Sequence, residues 1–188
     1  MNVPLIHDAI DLLRLRTAPL AQYQYPLPHL LAAFAALGVM TAAAAHADGA
    51  SGQPLAMSLF FTLYVLMETT LYAIFMRWWL QRAGYRLELP LIGLVTAANM
   101  IKLLDPLASW LPDDVGRGLT MALSAFGLFI IVRALSQLSG ASVLRVLGGT
   151  LLFAPAGVLL MASVVSVAAS VGVSLLPAEV MQAIANGG

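Results

Sequence analysis

Five apolar stretches, at about residues 27–45, 54–76, 90–111, 118–135 and 143–176, are separated by short polar connections. Each approaches or exceeds the roughly 20 apolar residues that a helix needs to cross a hydrocarbon core of about 30 Å. The arginines between them alternate. Arg14 and Arg16 precede the first stretch, Arg77, Arg82 and Arg86 lie between the second and third, and Arg133 and Arg145 flank the turn between the fourth and fifth. The other connections and the C-terminal tail hold only Arg117. Basic residues in short loops stay cytoplasmic during insertion. The pattern therefore predicts an all-α, polytopic transmembrane helical bundle of five spans, with the N-terminus cytoplasmic and the C-terminus outside. Three regions follow: 1–26 as a cytoplasmic interfacial helix and lead-in segment, 27–176 as the bundle, and 177–188 as a short external tail.

Ahead of the first span, Leu5 to Arg16 reads as an amphipathic helix. Leu5, Ile6, Ala9, Ile10 and Leu13 share one face, and His7, Asp8, Asp11 and Arg14 share the other. It is too short and too charged to span. It lies on the cytoplasmic leaflet, docks on a partner, or packs on the protein's own cytoplasmic mouth. The first span ends in Ala45-His46-Ala47, which also satisfies the small-residue rule for signal-peptide cleavage. Its apolar core is longer than a leader's, so a retained span is expected.

Pro54 suits the first turn of the second span. That span closes on Arg77, Trp78 and Trp79, an aromatic and basic anchor at the interface, and Trp110 is the corresponding outer anchor of the third. The last stretch, Val143 to Leu176, would reach roughly 50 Å as one helix. It must tilt and project outward, or break near Pro155 or Gly157. Ser166, Ser170 and Ser174 recur at four-residue spacing, a small-residue face suited to helix packing.

Composition sharpens this picture. Hydrophobic residues make up 61% of the 188 and charged residues 10%, and mean hydropathy is +0.91, well outside the soluble range of roughly 45–50% apolar and 25% charged. Zero formal charge gives no reason to expect nucleic acid. The absence of cysteine removes disulfides, thiolate metal sites and cysteine nucleophiles. Eight arginines against one lysine, with abundant alanine, suggest a bacterium with a GC-rich genome, and hence its inner membrane.

Candidate chemistry is sparse. Within the spans the polar residues are Glu68, Thr69, Thr70, Thr96, Asn99, Lys102 and Asp105. Ionisable groups at membrane depth are costly and suggest function or a specific partner. Helical rise places Glu68, Asn99 and Lys102 at similar depths, and Lys102 and Asp105 are i, i+3 neighbours. The cluster lines a polar path, or it neutralises itself and locks two spans together. His7, His29 and His46 lack ligand spacing, and no nucleophile or phosphate-loop context occurs. No enzyme, cofactor or metal is expected.

The cytoplasmic helix leading to Pro19, the five short-looped spans, the Arg133-Ala134-Leu135 end of span four and the Leu138–Ser142 turn into Arg145 resemble bacterial members of the Yip family of Rab-interacting polytopic membrane proteins. The resemblance implies a partner-binding membrane module without catalysis. The expected function is therefore a non-catalytic membrane subunit or scaffold, packing with other integral membrane proteins or with itself. The alternative is a small transporter or channel subunit whose polar path is Glu68, Asn99 and Lys102.

Overall fold

The computed structural model describes residues 4–111 and 113–177, with the backbone alone for 106–110 and 113. The tail at 178–188 and the side chain of Trp110 lie outside the described residues. Among the described residues six α-helices follow one another: α1 Pro4–Leu13, α2 Leu27–Ala47, α3 Pro54–Arg82, α4 Ile92–Asn99, α5 Asp113–Ser139 and α6 Val143–Ser170. Two 3-10 segments join them, Leu20–Tyr23 before α2 and Met100–Trp110 after α4. Among the described residues the only β-type pairing is a single bridge between Ala50 and Pro177. Helices α2, α3, α5 and α6 are long and apolar enough to cross a membrane.

The third predicted span is not one α-helix. After eight residues of α4 the chain tightens into eleven residues of 3-10 helix. Proline lacks the N–H that an α-helix would donate four residues back, and it disfavours α geometry at the residue before it. Pro106 thus opposes α winding across Lys102 to Asp105.

The elements meet at two ends. At the arginine-rich end Thr17 donates to Gln137 Oε1 at 2.7 Å, and Trp79 Nε1 donates to the Arg145 carbonyl at 3.1 Å. At the far end Ala50 bridges Pro177, and Gly52 abuts the Ser174 carbonyl. The antiparallel pair α2 and α3 forms the most extensive contact. The two helices approach closely at Gly38, where a side chain would collide with Thr62, backbone included. At the arginine-rich end one apolar cluster draws Leu80, Leu91, Leu94, Leu135 and Val146 together from α3 through α6. At the far end Met57, Phe61, Val164 and Ala168 join α3 to α6 without α5.

Helix α1 is shorter than the pattern implies, and it packs on α4 and the start of the following 3-10 segment. Its buried face is Leu5, Asp8, Ala9 and Leu12, so Asp8 belongs to the packed face and not to the polar one. Asp8 is 2% exposed. It accepts hydrogen bonds from Gln22 Nε2 at 2.5 Å and from the Tyr25 hydroxyl at 2.6 Å, and such partners are what make a buried carboxyl tolerable. Burial, followed by the Asp8 hydrogen bond and charge, pushes the Tyr25 phenol up, which keeps it a donor. Ile6 and Ile10 stay exposed.

The last apolar stretch neither breaks at Pro155 nor continues to Leu176. Helix α6 runs through Pro155 and stops at Ser170. Gly172 takes a left-handed φ of 79°. Val173 N then bonds to Ala168 O and Gly172 N to Ala169 O, the paired bonds that close a Schellman motif. Ser174 therefore falls off the helix and donates to Leu176 O at 3.0 Å.

Candidate functional site

Helix α3 carries Tyr64, Glu68 and Tyr72 at four-residue intervals, so the three stack along one face. The Tyr64 hydroxyl donates to Glu68 Oε1 at 2.9 Å. Tyr72 meets Thr150 Oγ1 on α6 at 2.8 Å. Because Thr150 gives its own proton to Val146 O at 3.0 Å, Tyr72 is the donor of that pair. Facing this column, Asn99 ends α4, and Lys102 and Asp105 follow in the 3-10 segment.

The winding of that segment matters. In a 3-10 helix residues three apart eclipse one another, so Lys102 and Asp105 stand one above the other, just beyond Asn99. In an α-helix Asp105 would lie about 120° around the axis from Asn99. The tightened geometry therefore keeps all three on one side.

That side is a cavity of about 1010 Å³ between α3, the 3-10 segment, α5 and α6, and Glu68, Asn99, Lys102 and Asp105 all line it. Asn99 Nδ2 also donates to the buried Thr69 hydroxyl at 3.3 Å, tying α4 to α3. Glu68 is half-buried and Lys102 exposed. Among the described residues none of Glu68, Lys102 and Asp105 makes an ion pair; His7 with Asp11, at 3.4 Å, is the ion pair found. Most of the remaining wall is apolar, with Leu128, Ile131, Phe153 and Val165 among its residues. Gly157 stands opposite Glu68: a methyl group there would sit 3.8 Å from Oε1.

Tyr64, Tyr72, Ser124 and Thr150 are cavity residues that the sequence reading passed over. The spacing of Tyr64, Glu68 and Tyr72 was a usable signal. Of the predicted packing face, Ser166 lines the cavity and Ser170 is exposed, while the packed face of α6 at that level is Val164 and Ala168. Of the predicted anchors, Arg77, Trp78 and Trp79 lie together at the arginine-rich end. Arg77 donates to Glu88 O at 3.3 Å. The Arg82 guanidinium lies 5.0 Å from the Trp78 ring centre, and that of Arg145 lies 5.4 Å from Trp79. Among the described residues no group of His, Asp or Glu is placed to hold a metal.

Fold and cavity together define a class: an all-helical bundle with membrane-compatible helices arranged around an internal chamber. A scan against family models finds no match, and comparisons with curated proteins and with solved structures find none either.

Proposed function

We propose that this chain is a multi-pass membrane protein that binds a small ligand in the cavity and passes it on, with Glu68, Asn99, Lys102 and Asp105 as the polar contacts. The observation that carries this reading is the convergence of those four residues, from two separate segments, on one chamber. A largely apolar pocket with a few converging polar groups is the usual form of a ligand site. A helix that loses its α winding beside such a site is a recurring feature of membrane transporters. No chemical step is assigned to it.

In this reading the chain crosses the bacterial inner membrane five times, with the arginine-rich end cytoplasmic. Eight residues of α-helix and eleven of 3-10 helix rise about 34 Å together, enough for the third crossing. The hydrogen bond of Thr17 to Gln137 and the bridge of Ala50 to Pro177 each join residues at one end of the bundle, which supports an even number of crossings between them, four when the third is counted. A chain without cysteine allows a direct check. Ser51→Cys and Gln137→Cys should react with a membrane-impermeant thiol reagent from opposite sides, and reaction from the same side would remove the third crossing.

Function is tested by thermal unfolding of purified protein against a panel of polar solutes and amphiphiles. Some member should raise the Tm of the wild type and fail to raise that of Glu68→Gln, whose gel-filtration profile stays unchanged. A second reading, a scaffold packing with other membrane proteins or with its own copies, is favoured by the exposed Ser170 and the Yip-like pattern. A flat panel, together with stoichiometric membrane partners in a mild-detergent pull-down, would replace the first reading with the second.

A further inference from the structure

The route into the cavity is set by how α5 and α6 separate. They are joined by the short turn at residues 140–142, and their apolar contacts, through Ile130, Leu135 and Val146, lie at the arginine-rich end. Beyond that level they take different partners. The far half of α5 packs along the 3-10 segment, where Gly127 closes on Ile101. The far half of α6 packs on α3 through Val164 and Ala168. The wedge left between them is one side of the cavity, and it is flanked by apolar, exposed residues that also line the cavity, Leu128 on α5 and Val158 on α6. A molecule passing between these flanks comes from the hydrocarbon phase and is itself mostly apolar.

The charges select its head. Lys102 and Asp105, one turn apart in a single column, offset each other. Glu68 faces them from α3 with Tyr64 as its one hydrogen-bond donor among the described residues. A carboxyl at membrane depth calls for a cation, and the space that Gly157 leaves over Oε1 is open to one. A cavity of about 1010 Å³ holds far more than an ion.

We propose that the cavity takes an amphiphile with a primary ammonium head on an aliphatic chain, which reaches Glu68 sideways from the bilayer between α5 and α6. This inference rests on the ligand-chamber reading and names its ligand class. The ammonium sits on Glu68. Where the head also carries a phosphate, Lys102 is its partner. The same chemistry has two sources, an aminoethyl phospholipid of the membrane or a free long-chain amine.

The test uses the full chain in phosphatidylcholine vesicles with two photoreactive probes, an aminoethyl phospholipid and a long-chain primary amine, each with its reactive group in the chain. At least one should label α5 and α6 near Leu128 and Val158. Glu68→Gln should cut that labelling about tenfold or more, the loss of a charge-assisted hydrogen bond. Gly157→Leu keeps the carboxyl but fills the space beside it, and should cut labelling likewise; it is the independent arm if Glu68→Gln fails to fold. Labelling by the phospholipid alone assigns the membrane source, and labelling by the amine alone assigns the free one. Equal labelling of wild type and both variants, or equal labelling by an anionic phosphatidylglycerol probe, overturns the inference and leaves the chamber reading standing. No labelling by any probe, together with a flat thermal panel, removes both.

Discussion

At the arginine-rich end Met76, Leu80, Leu94, Leu135 and Val146 are each 0% exposed, held among α3, α4, α5 and α6. Toward the far end the same α5 and α6 instead line the cavity of about 1010 Å³, with Ser124, Gly127, Ala154 and Gly157 among its residues. The two halves divide the labour of the fold. One is packed tightly enough to fix the helices. The other can then leave polar groups around a void, because the helices bearing them are already held in place. In lipid the contrast matters more than in water, since association between helices rests on packing and hydrogen bonds rather than on escape from solvent.

The comparison can be broken most strongly at Leu135. Leu135→Ala should cost about 2–3 kcal/mol, the lower part of the leucine-to-alanine range, because lipid solvates a leucine as well as the core does. Leu159→Ala, on the open half, should change the unfolding midpoint in mixed micelles hardly at all; equal losses would abolish the contrast.

Next in size is the latch that docks α1. Asp8→Ala leaves Gln22 and Tyr25 without their acceptor and should cost about 1–3 kcal/mol. Hydrogen exchange should then accelerate in α1 while the interior of α3 stays protected. Gly38→Ala, which drives a methyl group into Thr62, should lower stability by about 1–2 kcal/mol. Gly148→Ala meets no atom within 4 Å and should be neutral or slightly stabilising. Among the changes that break a contact, the smallest effect is expected from Tyr72→Phe, about 1 kcal/mol for the lost bond to Thr150. A larger loss there would mean that the cavity wall, too, helps to hold the helices.

Sequence alone located four long helices to within a turn or two, because each is an unbroken apolar run beside charged or proline-marked connections. It also singled out Glu68, Asn99, Lys102 and Asp105, since charges inside apolar runs are conspicuous. Apolarity does not reveal winding, however. Residues 90–111 look as apolar as their neighbours, yet α4 gives way to 3-10 helix at Met100. Nor does an amphipathic pattern say which face packs, so it sets Asp8 on the polar face, although Asp8 is buried and accepts from two side-chain donors. The end of α6 was legible in principle: Gly172 is a residue that ends helices, set within a run whose apolarity obscured it.

The 3-10 segment has a mechanical consequence. Relative to an α-helix it is overwound by about 20° and stretched by about 0.5 Å per residue, so rotation and translation are coupled along it as in a screw thread. Rewinding the six residues from Met100 to Asp105 as α-helix would draw the Asp105 backbone back about 3 Å while swinging its carboxyl out of the column above Lys102. A single change of pitch would therefore alter both the charge facing Glu68 and the height of the chamber's wall.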